Sequence, residues 1–135
     1  MKKKEINKLD QLWSEIIKNR AGYKCEHCGI SGVRMEAAHV VGRRHRGTRW
    51  GCWVPWVSEE RKLAPKYDFA GHCLCHSCHQ HYDEHGPLEL AITENTVGLE
   101  RKARLQQVAQ AVARDQDYDE IKALLIKYGG EYVGS

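Results

Sequence analysis

Two Cys-x-x-Cys pairs, Cys25/Cys28 and Cys75/Cys78, are separated by 46 residues. A tight turn brings sulfurs three residues apart to the same side, so each pair can offer two thiolates to one tetrahedral ion. Four thiolates on Zn²⁺ make a closed, structural site. A redox Cys-x-x-Cys of thioredoxin type needs a βαβ context, which the pattern around these pairs lacks. Cys52 and Cys73 are left over. Cys73 is expected to be a small buried apolar residue facing away from the ion, and Cys52, among tryptophans, carries no assigned chemistry.

Five of the eight histidines, His72, His76, His79, His81 and His85, crowd around the second pair. On a helix starting near Cys75, His79 and Asp83 are four apart and share a face. A histidine and a carboxylate in that relation suit a borderline divalent ion with open positions, a catalytic metal such as Mg²⁺ or Mn²⁺ distinct from the four-thiolate zinc. His85 joins them only if the helix has ended, and His72 only from the segment before it. His81 points away from His79. His39 stands alone at the end of a short apolar run, Glu36-Ala-Ala-His39. Taken alone it fits a structural imidazole, and with an ordinary pKa it would lose its proton through about pH 6 to 7.

Charge is unevenly spread. Residues 40–66 carry net +5 and the remainder −2, within a total of +3. A local cationic stripe on a near-neutral body predicts a polyanion, most simply nucleic acid. Arg43, Arg44, Arg46 and Arg49 are expected to meet phosphate, because no acid lies between Gly42 and Trp50. Trp50, Trp53 and Trp56 recur around Pro55 in the same region. Aromatics beside cations can stack on bases, but two of the three are expected to form a small core around Val54 and Val57.

These groups need a scaffold. Ile6, Leu9, Trp13, Ile16 and Ile17 predict an amphipathic helix over residues 5–20, ended by Gly22. Short strands are expected over 33–41 and 69–74, separated by a long irregular loop, 42–68. A helix follows from Cys75 to about Glu84, broken by Gly86-Pro87. Two apolar stripes predict C-terminal helices: Leu105, Val108, Ala109 and Val112, then Ile121, Leu124, Leu125 and Tyr128. The second helix is expected to open on a capping box at Asp117–Glu120 and to close at Gly129-Gly130.

The chain's 135 residues fit one α+β domain: an N-terminal helix (1–22), a metal-stapled core (23–86) and a helical extension (87–135). So small a core benefits from a metal staple. No apolar run approaches the roughly 18 residues of a membrane span. The basic start has no apolar segment behind it, so the expected compartment is the cytoplasm, where cysteines favour metal over disulfides.

Cys25-x-x-Cys28, Ala38-His39-Val40 and Cys73-Leu-Cys75-x-x-Cys78-His79 together resemble the HNH endonuclease family, with its ββα-metal core, in the zinc-bearing branch common in phages and prophages. Arg43-Arg44-His45-Arg46-Gly-Thr-Arg49-Trp50 is similar to the basic loop after the first histidine of that branch. The resemblance implies a metal-dependent hydrolase of DNA phosphodiesters. His39 would match the general base and His79 a metal ligand, with Asp83 or His85 as the second. DNA would be the partner, in a host-cell cytoplasm shared with phage proteins. Two positions depart from the pattern. Ala38 stands where many members carry a metal-binding His or Asp. Ala70 stands where the family has an Asn that braces the loop of the base, with Asp68 nearby as a substitute. The alternative function is a catalytically degenerate, zinc-stabilised module that binds DNA or a protein partner.

Overall fold

The computed structural model describes residues 1–54, 66–111 and 117–133. Trp56, Val57, Arg61, Lys62 and Val112 lie outside the described residues. The first element, α1 (Lys3–Arg20), buries Leu9, Trp13, Ile16 and Ile17 on one stripe, as their three-to-four spacing requires. Glu5 accepts the Lys2 N–H at 2.9 Å and so satisfies one donor at the entry. Gly22 leaves the helix at φ +66°, a conformation that suits glycine.

β1 (Met35–His39) pairs antiparallel with β4 (Gly71–Cys75), with Met35 opposite Cys75 and His39 opposite Gly71. Every residue of β4 is buried, because α1 and α2 (His76–Asp83) both pack against these two strands. A side chain at Gly71 would collide with Trp13 and Ile17, so this glycine is what lets α1 lie against the strand ends. Cys73 and Cys75 are two apart on β4 and share a face. Cys73 is nevertheless in the core rather than at the metal cluster, because Cys75 ends the strand and already caps α2.

The described residues of the expected 42–68 loop include two short strands. β2 (Cys52–Val54) and β3 (Lys66–Asp68) pair antiparallel, Cys52 opposite Asp68. Strands of three residues are too short to register as an alternation. Gly86-Pro87 ends one helix and opens another, α3 (Pro87–Thr96), with Pro at its first position. Next come α4 (Leu99–Ala111) and α5 (Tyr118–Gly129), and then a 3₁₀ turn (Gly130–Tyr132). Asp117 caps α5 with its backbone only, making no side-chain bond, so the expected capping box does not form. Ile121 and Leu125 are buried while Leu124 and Tyr128 are half-buried.

Two apolar clusters result. The larger joins α1, β1, β4 and α5 through Leu9, Trp13, Ile16, Leu74, Ile121 and Leu125. The smaller holds Val40, Val41, Cys52, Val54, Ala70 and Leu105. Among the described residues the architecture is α+β, with five α-helices and two small antiparallel sheets.

Candidate functional site

The first cysteine pair sits on a turn closed by Cys25 N–H to Ile30 O (3.0 Å) and Gly29 N–H to Cys25 O (2.9 Å). Glu26 ties this turn to β4 twice. Its N–H donates to Cys73 O at 2.9 Å, and its carboxylate accepts the Cys73 N–H at 2.8 Å. Cys75 ends β4 and Cys78 lies in the first turn of α2. All four expected sulfurs, of Cys25, Cys28, Cys75 and Cys78, lie within 4.8 Å of one another. The Cys28 and Cys75 Sγ atoms are 3.8 Å apart, matching the edge of about 3.8 Å that a tetrahedron with Zn–S bonds near 2.3 Å would have. Burial raises the Cys25 thiol, but backbone bonds from Cys75, Cys28 and His27 outweigh it and bring its pKa to about 7. Cys78 is pushed up by burial and by its bonds with the other three thiols. Four sulfurs so close cannot all ionise without a cation among them, so the donor set fits a divalent ion.

His39, the last residue of β1, stacks on the Trp13 indole with centroids 4.1 Å apart and 13° between planes. Trp13 is itself fixed by its Nε1–H, which donates to Phe69 O at 2.7 Å. The His39 Nε2 is buried with no hydrogen-bond partner. Burial first, then the charges of Arg49 and Arg43, with Asp10 opposing, lower the His39 pKa to about 4. The ring is therefore neutral well below the pH 6 to 7 that an ordinary imidazole would give. His39, Arg44, His45, Tyr82, Asp83 and His85 line one cleft of about 600 Å³, with α4 on its far side.

His79 and Asp83 meet as the helical spacing predicts, His79 Nε2 lying 3.2 Å from Asp83 Oδ2. The other ring nitrogen, Nδ1, is 2.8 Å from Glu36 Oε1, and Glu36 Oε2 is 3.0 Å from His76 Nδ1. Burial works to raise Glu36, but the bonds from His76 and His79 outweigh it and hold the carboxyl below its ordinary value. Sequence reasoning gave Glu36 no role. The available signal was strand alternation, which puts Glu36 and Ala38 on the face opposite His39. His85 does not join His79: it follows the helix at φ +53° and pairs with Glu89 at 3.1 Å. Among the described residues the four cysteines are the one group of three or more donors within reach of a common ion. Of the two candidate partners for His79, Asp83 is the one that meets it, while His85 pairs elsewhere.

His72 is not available as a ligand from the surface. It is 1% exposed, with Nδ1 3.0 Å from Thr96 Oγ1 and its ring edge-on to Tyr82. Burial, then the neighbouring His79 and the cations Arg101, Lys102 and Arg20, lower its pKa to about 3. An imidazole kept neutral in the fold gives up a proton that the unfolded chain binds below about pH 6.5. Stability should therefore fall as pH drops from about 6.5 towards 3, each pH unit of displacement being worth about 1.4 kcal/mol. Urea unfolding at pH 7 and pH 5 should show this loss, and His72→Gln should flatten it.

Ala70, at the position where the resemblance would put an Asn, has φ +53°. Its N–H donates to Asp68 Oδ1 at 2.6 Å, and its carbonyl accepts the N–H of Val40, the residue after His39, at 3.0 Å. Asp68 is in turn gripped by Arg101 from α4, at 2.6 and 2.7 Å. The end of β1 is therefore braced by a part-buried ion pair whose cation lies 33 residues from its acid.

Arg43, Arg44, Arg46 and Arg49 line one open hollow of about 650 Å³ with Gly42. Arg49, however, is not the uncompensated cation its local sequence suggests. Asp10 of α1 accepts its Nε–H at 3.1 Å and its Nη2–H at 2.7 Å, and also accepts the Trp50 Nε1–H at 2.8 Å. Trp50 is buried. Trp53 is 45% exposed, lying edge-on to Tyr67 and Tyr128. If the hollow holds phosphate, Arg43→Ala, Arg44→Ala and Arg46→Ala should each reduce the slope of log affinity for duplex DNA against log salt by roughly one. Fluorescence anisotropy at several salt concentrations checks this, and three unchanged slopes would mean a merely solvated loop.

Compared with family models, curated proteins and solved structures, the chain gives no match, so the site is read from its own residues: a four-cysteine cluster that could hold a metal ion, a neutral histidine lining a polar cleft, and a histidine held between two carboxylates.

Proposed function

We propose that this chain is a metal-dependent DNA endonuclease of the HNH type, with zinc on Cys25, Cys28, Cys75 and Cys78. Zinc is favoured because four soft thiolates select it over harder divalent ions. The observation that carries the nuclease reading is His39. It is a neutral imidazole with an unused Nε2, on a cleft wall shared with Arg44 and adjoining the arginine hollow. The antiparallel β1–β4 pair leading directly into α2 supports the ββα core that the resemblance implies.

In this reading His39 Nε2 takes a proton from the attacking water. The phosphorus–oxygen bond to the leaving sugar oxygen breaks as the water oxygen adds. Arg43, Arg44 and Arg46 neutralise phosphates along the strand. His79 Nε2 and Asp83 would hold a divalent cation, with Glu36 orienting the ring through Nδ1. Such an ion, when bound, polarises the scissile phosphate and stabilises the departing oxygen.

Supercoiled plasmid incubated with the zinc-loaded protein and Mg²⁺ or Mn²⁺ should be converted to nicked or linear product, and His39→Ala should not do this at a comparable rate. DNA bound but not cleaved with any divalent metal would leave the second reading, a zinc-stabilised DNA-binding module. One observation favours that second reading: among the described residues, only two donors, His79 and Asp83, converge where the catalytic ion would sit.

A further inference from the structure

We infer that one face of α4 is the base-reading wall of the cleft, with Gln106 and Gln110 contacting the base of the nucleotide whose phosphate meets His39 and Arg44. The inference rests on the nuclease reading for its substrate and names the specificity-determining residues of that same site.

Lys102, Gln106 and Gln110 line the cleft that His39 lines. They are spaced four apart, so they form one stripe along α4. The adjoining stripe packs: Leu105 and Ala109 join Val40 and Val41 in the smaller apolar cluster. Arg101 adds a fixed point. It grips Asp68, Asp68 accepts the Ala70 N–H, and the Ala70 carbonyl accepts the Val40 N–H. The helix is therefore held to the strand end that carries His39.

The two walls differ in charge. On the loop side, Gly42 and Arg44 line both the cleft and the arginine hollow, so the two adjoin. On the α4 side the cations are already matched. Lys102 Nζ donates to Glu89 Oε1 at 3.1 Å, and Arg101 is held by Asp68. Gln106 and Gln110 are exposed, and among the described residues their carboxamides have no hydrogen-bond partner. Neutral groups that both donate and accept suit a base edge better than a phosphate, whose preferred partners are cations. A glutamine carboxamide pairs in bidentate fashion with N6 and N7 of adenine. The cleft, at about 600 Å³, falls within the roughly 300–1,000 Å³ of sites that enclose ligands of a nucleotide's size. A strand whose phosphates follow the arginine hollow would thus set a phosphate at Arg44 and the attached base against α4.

The test uses a pool of DNA oligonucleotides of random sequence with zinc-loaded full-length protein and Mg²⁺ or Mn²⁺. Sequencing reads the cut positions and, separately, the bound fraction. Wild type should favour one base, adenine by the pairing above, by roughly 5- to 100-fold at a position beside the cut. Gln106→Ala with Gln110→Ala should flatten that preference. Zinc content and the slope of log affinity against log salt should stay as in wild type, because a neutral amide displaces no counterions. Gln107→Ala, exposed on the same helix but outside the cleft, should keep the wild-type preference. Cleavage with no base preference, or with one that survives the double variant or is lost equally in Gln107→Ala, would overturn the inference and leave the nuclease reading standing. A preference in the bound fraction that the double variant loses, in a protein that cleaves nothing, would uphold α4 as the reading wall and defeat the nuclease reading instead. A protein that binds none of the pool would overturn both.

Discussion

Cys28→Ser should strip the metal from the four-cysteine cluster and leave most of the chain unfolded. Cys28 joins the turn after α1 to the β4–α2 junction, 47 residues away at Cys75. A serine hydroxyl does not ionise near neutral pH, so the variant offers three thiolates and an open position. Zinc in small structural sites supplies on the order of 10–16 kcal/mol of apparent binding free energy at pH 7. That is as large as the whole stability of a typical domain, roughly 5–15 kcal/mol. Cys25 and Cys75 belong to the larger apolar cluster, so the four-cysteine site ties together chain segments that pack in that core. Elemental analysis should find about one zinc per wild-type chain and close to none in Cys28→Ser. Far-ultraviolet circular dichroism should show the loss of helix. A variant that is metal-free and fully folded would overturn this expectation.

The parts of the molecule legible in its sequence are those whose signal is local. Cys-x-x-Cys spacing is itself a geometric statement, and all four sulfurs converge as it implies. α1 is legible because its apolar stripe, Ile6 to Ile17, repeats over about three turns, and His79 and Asp83 because i, i+4 is a fixed distance on a helix. What escaped is pairing across the chain. Arg49 lacks an acid within its own loop and looks free, yet Asp10 holds it from 39 residues away. Arg101 on Asp68 and Glu36 on His79 are separated by 33 and 43 residues. No periodicity connects such residues; only the packing of α1, α2 and α4 around the strands brings them together. His85, offered only as an alternative to Asp83, lies beyond the end of α2 at φ +53°, and its partner Glu89, on the next helix, is another contact that no local periodicity announces.

His39→Ala should cut DNA cleavage by about two to four orders of magnitude, the usual worth of a general base, while leaving zinc content and DNA affinity close to wild type. The neighbouring strand residues keep their ladder with Gly71 and His72, and the arginine hollow does not include His39. The pH profile separates a base in this environment from an ordinary imidazole. His39 must be neutral to accept a proton, and its pKa is lowered to about 4 by burial and the Arg49 and Arg43 charges. The rate attributable to it should therefore rise through about pH 4 and be level from pH 6 to 7. A rise through 6 to 7 would mean that the working ring is not in the buried setting that the Trp13 stack provides. His79→Ala should abolish activity through loss of the ion, with excess Mn²⁺ at best a partial rescue. Asp83→Ala should behave like His79→Ala, because Asp83 Oδ2 is 3.2 Å from His79 Nε2. His85→Ala should stay active, since its partner is Glu89. Glu36→Gln should fall between, losing about 10- to 100-fold, as expected when the group orienting a ligand histidine is weakened. If Asp83→Ala is active and His85→Ala is not, the ion sits on the cleft side of α2 with His85, and the carboxylate pair around His79 is a structural clasp.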